Sequence, residues 1–149
     1  MNRTTCTAIA IAISGCASVP PAPLTRADTV VNASFGKTWD AVVDYFARSS
    51  IPVKTIDRSS GLIAAETTRL AGDNSRFATC ANWARKFNPE GASFNALVRG
   101  DSTRSTVRVT ASWLATGGGA PSIQCQTSDV WEKEFEAAIK AKAEGEARQ

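Results

Sequence analysis

The side chains with chemistry to offer are four cysteines and a scatter of acids, bases and hydroxyls, set against a complete absence of histidine. Without histidine the chain lacks the commonest neutral-pH acid/base group and a frequent zinc ligand, which leaves Ser, Asp, Glu and Lys. Ser34 and Lys37 stand at a Ser-x-x-Lys spacing, but the companion motifs of the penicillin-binding enzymes are missing and Ser34 sits where a helix cap is needed. Gly117, Gly118 and Gly119 lack the Lys-Ser/Thr that completes a phosphate loop. Asp40 and Asp44 share a helical face in a weak cation-site pattern and read as solvated charge. No set combines nucleophile, base and electrophilic donor. The expectation is therefore no catalytic residue, no cofactor and no metal.

The first fifteen residues place Arg3 ahead of a small, apolar run including Ala8, Ile9, Ala10, Ile11, Ala12 and Ile13. This is the pattern of a cleaved secretory signal, too short for an ordinary membrane span. Ile13, Ser14, Gly15 and Cys16 resemble the bacterial lipobox. That resemblance implies cleavage before Cys16, acylation of Cys16 with chains such as palmitate, and a stable lipid anchor. Ala17, where an acidic retention residue would otherwise stand, implies the outer membrane. The lipid bilayer, reached through Cys16, is then one expected partner.

With Cys6 lost in the signal and Cys16 committed to lipid, Cys80 and Cys125 remain in an oxidising compartment. A disulfide between them is the leading expectation; two separately buried thiols are the alternative. Neither cysteine lies in a Cys-x-x-Cys motif, which disfavours a redox-active pair. The formal charge of +3 falls to +2 without Arg3, and the basic residues form no block, so no nucleic-acid partner is expected.

The remaining chain must be read for elements. A length of 149 residues with 43% hydrophobic composition suits one domain. Residues 16–27, with Pro20, Pro21 and Pro23, read as a lipidated flexible tether, 28–143 as a single α+β domain and 144–149 as a polar tail. Thr29 to Ala33 supplies a short strand. From Ser34 to about Ser49, Phe35, Trp39, Val42, Val43 and Phe46 recur on one side of a 3.6-residue period and predict a helix. Pro52 to Asp57, a turn through Gly61 and Leu62 to Thr67 predict a hairpin. Arg76 to Cys80 and Phe94 to Arg99 read as short strands, the second within a poorly legible stretch from Ala81 to Gly100. Thr103 to Leu114 has the clearest alternation, and Ser122 to Thr127 returns beside it. Ser128 is the expected cap of a last helix with Trp131, Phe135, Ala138 and Ile139 inward and Lys133, Glu136 and Lys140 toward solvent.

The expected fold is α+β, a single antiparallel sheet of about four to five strands with two helices on one face. The Trp39 helix, the Pro52 to Asp57 strand, the Gly61 turn and the last-helix face resemble small Gram-negative outer-membrane lipoproteins with a helix-grip-like domain. They are also distantly similar to the C-terminal domains of BamC lipoproteins, which carry two such domains and a long N-terminal region. Trp83, Arg85, Lys86 and Phe87 form a candidate partner surface, with local packing under a loop as its alternative. The functional expectation is a noncatalytic periplasm-facing lipoprotein, an accessory or interaction module in envelope organisation with a protein partner. A binding module for a small apolar or amphipathic ligand is the alternative, with an enzyme third.

Overall fold

Ser34 starts the first helix as its side chain allows: at φ −61°, ψ 156° its hydroxyl accepts from the Lys37 amide, one of the donors a helix start leaves free. Helix α1 (Phe35–Arg48) ends at Ser49, followed by Ser50 at φ 53° and by Pro52. In the computed structural model, which describes residues 26–81, 86–116 and 122–145, Trp39, Val42 and Phe46 are buried along this helix, with Phe35 and Val43 packed at its margins.

Among the described residues ten strands accompany two helices: β1 (Thr29–Val31), β2 (Val53–Asp57), β3 (Leu62–Ala65), β4 (Thr68–Arg69), β5 (Ala78–Ala81), β6 (Lys86–Phe87), β7 (Gly91–Gly100), β8 (Ser105–Ala115), β9 (Ile123–Gln124) and β10 (Gln126–Thr127), then α2 (Val130–Ala143). The main sheet is antiparallel in the order β1-β8-β7-β3-β2, with β4 also on β7 and β9 on β8. A second small sheet runs β10-β5-β6.

The fold is α+β, and its strands outnumber the expected four to five and divide between two sheets. Two local features account for this. Within Ala81 to Gly100 only Phe94 to Arg99 reads as a strand, yet β7 extends over ten residues and buries Ala92, Phe94, Ala96 and Val98 on one face. Small alanines keep the alternation but weaken its hydrophobic contrast. The return after β8 breaks at Cys125, so that β9 pairs with β8 and β10 with β5; the Cys125 amide still donates to the Trp113 carbonyl.

Inward residues of β8 alternate without a lapse: Ser105, Val107, Val109, Ala111, Trp113 and Ala115 are buried, their neighbours half-buried or exposed. Both helices pack on this strand and on each other. Phe135 joins them, its ring 3.7 Å from that of Tyr45, 5.3 Å from Phe46 and 4.9 Å from Trp131. Trp131 stacks on Phe94 at 4.0 Å and Trp113 on Phe77 at 5.5 Å, so aromatic rings fill the interior from α1 to the small sheet.

Gly61 is required at the β2–β3 turn on two counts. Its φ is +68°, and a Cβ there would lie 2.1 Å from the Val98 carbonyl oxygen. Cys80 and Cys125 form a disulfide across 45 residues, fastening β5 to the break between β9 and β10. In the chain-entropy account such a loop stabilises by about 4 kcal/mol.

Candidate functional site

On α2, Phe135, Ile139 and Ala143 recur at helical spacing on the buried side, and the same stripe carries Glu132 and Glu136 inward. Glu136, expected toward solvent, is 2% exposed. What makes this tolerable is a full set of donors. Arg26 grips it twice, Nη1 to Oε2 at 3.0 Å and Nη2 to Oε1 at 2.6 Å, Thr29 Oγ1 donates to Oε2 at 2.6 Å, and the Val109 amide donates to Oε1 at 2.7 Å. Arg26 Nη2 also donates to the Val109 carbonyl at 2.6 Å. In the register of β1 on β8, Thr29 lies opposite Val107, so Val109 falls beyond the paired stretch. The ion pair therefore takes over the backbone groups of β8 where β1 stops, replacing a missing ladder rung.

Glu132, one turn earlier and 1% exposed, is treated differently. Its Oε1 accepts from Thr127 Oγ1 at 2.8 Å, and that hydroxyl in turn accepts from the Asp129 amide at 3.1 Å. Its Oε2 has no hydrogen-bond partner among the described residues, and neither has the buried Trp113 Nε1.

Ser128 is not the cap expected of it: its hydroxyl reaches the carbonyls of Arg76 and Phe77, at 2.7 and 2.9 Å. The cap position falls to Asp129, whose φ of 60° is left-handed and whose side chain makes no capping bond. Asp129 lines a recess of about 160 Å³ with Glu132, Thr127, Arg26, Arg108 and Thr110. Arg108 is engaged by Asp28 and by the Arg26 carbonyl.

A second, more open cleft of about 250 Å³ lies between the β2–β3 turn and the end of β7, lined by Phe35, Arg58, Ser59, Val98 and Arg99. Beside it the Ser59 hydroxyl, 2.6 Å from Asp57 Oδ1, leads the Ser59 and Ser60 hydrogen bonds that hold the Asp57 carboxyl down at about 2 from its ordinary 3.8. A folded-state value below the unfolded one means that this turn's contribution is present above the unfolded value and is lost as pH falls through about 2. An NMR titration should place the Asp57 midpoint near 2 and move it upward in Ser59→Ala. An ordinary midpoint in the unaltered chain would refute the hydrogen-bonded turn.

Of the residues singled out from sequence, Cys16, Trp83 and Arg85 lie outside the described residues, as do Gly117, Gly118 and Gly119. Cys80 and Cys125 are joined. Lys86 and Phe87 are consecutive on β6, opposite Ala81 and Cys80, so their side chains emerge on opposite faces. Asp40 and Asp44 are exposed and pair with Arg58 and Lys142. Ser34 is engaged as a cap. Sequence reasoning missed Arg26, Glu132 and Glu136; the available signal was that Glu132 and Glu136 flank Phe135 on the stripe ending at Ala143.

Among the described residues no group of three His, Cys, Asp or Glu has a metal-holding arrangement, and no helix is long and apolar enough to cross a membrane. Compared with protein-family models and with curated proteins, the chain matched none.

Proposed function

We propose that this protein is a noncatalytic lipoprotein of the outer membrane, anchored through acylated Cys16, facing the periplasm and serving as an accessory or interaction module in envelope organisation. The observation that carries this reading is the fastening of Arg26 into the fold by Glu136. Arg26 stands ten residues after the lipobox cysteine. An extended chain of that length spans at most about 35 Å. A domain gripped at that point stays within roughly its own dimensions of the bilayer, where protein contacts along the envelope are made. The Cys80–Cys125 bridge suits an oxidising compartment.

We read the arrangement of two helices over an antiparallel sheet as helix-grip-like. Its contact surface is the sheet face turned away from the helices, where half-buried Leu62, Leu97 and Leu114 lie among Ala64, Asn95 and Thr110. A ligand held between helices and sheet is the weaker alternative, because Phe46, Phe94, Trp113 and Phe135 occupy that space.

The test is mild cross-linking in native envelopes with the intact chain and with Cys16→Ser. The unaltered protein should fractionate with the outer membrane and recover a reproducible protein partner, while Cys16→Ser should fold, leave the membrane and lose that partner. Membrane association unchanged in Cys16→Ser would overturn the anchor, and a partner recovered equally by the soluble form would overturn the need for it.

A further inference from the structure

Among the described residues three large apolar side chains are exposed, Val30, Val53 and Ile56, and two of them stand on one strand. That strand is β2, exposed along its whole length and last in the order of the main sheet. Val53 lies opposite Ala65 and Ile56 opposite Ile63, both core residues, so Val53 and Ile56 face the helix side of the sheet. Helix α1 packs on β7 and β8 and leaves this margin of the same face to solvent, with Val53 42% exposed and Ile56 55%. The opposite margin is closed. At β1 the Asn32 amide donates to Glu144 Oε1 and Lys140 Nζ donates to the Val30 carbonyl, so side chains at the end of α2 occupy that edge.

An open edge fixes the shape of what completes it. The outward amides and carbonyls of an outer strand are met in register by an extended backbone. One side of such an incoming strand continues the core beside Val53 and Ile56 and has to be apolar, while alternation turns its next residues to the other face. Charge narrows the occupant further. Asp57 is taken up by Ser59 and Ser60 and Arg58 pairs with Asp40, whereas Lys54 has no hydrogen-bond or ion-pair partner among the described residues. Glu66 stands off the strand, its amide on the carbonyl of Pro52, where proline begins the edge without a donor. A second copy of β2 is a poor fit, because a register shift, here between Val53 and Thr55, and a lysine in mid-strand are devices that stop an edge from pairing with itself.

We infer that the free edge of β2 accepts an extended peptide segment of another protein, whose residues alternate between apolar and acidic. The apolar ones cover Val53 and Ile56, and an acidic one meets Lys54. This edge is distinct from the outward sheet face and does not rest on its assignment to protein contact.

The test titrates the full chain with a short blocked peptide of alternating valine and glutamate, followed by amide NMR, with the alternating valine and lysine peptide as control. The amides of Val53, Lys54, Thr55 and Ile56 should shift saturably with the glutamate peptide, and their hydrogen exchange should slow as the edge is paired. Lys54→Glu should weaken that peptide by about tenfold and favour the lysine peptide instead, since a cross-strand attraction becomes a repulsion. Ile56→Ser, at an exposed position that leaves the fold intact, should weaken it by about five- to tenfold through lost apolar burial. No saturable shift, equal binding of the two peptides, or a response unaltered by Lys54→Glu would overturn the site. So would shifts of the same amides that grow with protein concentration in the absence of peptide, which would make a second copy the occupant. Each of these failures leaves the lipoprotein reading untouched.

Discussion

Arg26→Ala should lower the free energy of unfolding by about 3–5 kcal/mol, the loss expected when one partner of a buried ion pair is removed. The magnitude follows from what stays behind. Glu136, whose side chain is 3% exposed, would keep Thr29 and the Val109 amide but lose both guanidinium bonds, and the Val109 carbonyl would lose its donor. Arg26 itself is 18% exposed, so solvent screening reduces the pair only modestly. Urea unfolding of the two proteins measures the difference. Changing Glu136 to Gln in the Arg26→Ala background should restore part of the loss, because the stranded charge is then gone. A loss under about 1 kcal/mol in Arg26→Ala would mean that the pair behaves like an exposed one and that the chain is not fastened here.

Trp39→Ala should cost a similar 3–5 kcal/mol by a different route. Its indole is 4% exposed on the inward stripe of α1, with the Phe35 ring 6.0 Å away, and nothing polar compensates its removal. The lost transfer energy and the cavity left against the sheet add together. Thermal unfolding should show a large drop in midpoint with the helix content of the folded state preserved. A negligible shift would contradict its place in the core.

The helix around Trp39 was legible because several local signals agree: a capping serine, a broad apolar stripe and a proline beyond its end. The strand from Ser105 to Ala115 was legible because each outward position between Val107 and Trp113 is polar. Its neighbour from Gly91 to Gly100 was not, since two of its four inward residues are alanines and its start is masked by Pro89 and Gly91. Pairing of Cys80 with Cys125 followed from compartment logic applied to the residue count, whereas the division of the last strand at Cys125 depends on two different partner strands and has no local signal.

The buried glutamates of α2 were the least legible part. A glutamate on a helix is solvated by default, and the residue that makes burial of Glu136 possible is 110 positions away, in a stretch whose prolines read as tether. Glu132 is harder still, because its unpaired oxygen is defined only by the packing of α2 on β8 and the turn at Asp129. Both belong to tertiary structure. The local sequence says only that an acidic residue stands on the wrong side of an amphipathic stripe.

The most direct measurement of the central claim is the intact mass and N-terminal sequence of the mature protein isolated from envelopes, with labelled palmitate supplied during growth. A chain beginning at Cys16 and carrying labelled acyl groups is the expected result. A mature protein that begins elsewhere, or one whose Cys16 is unmodified, would contradict the anchored account.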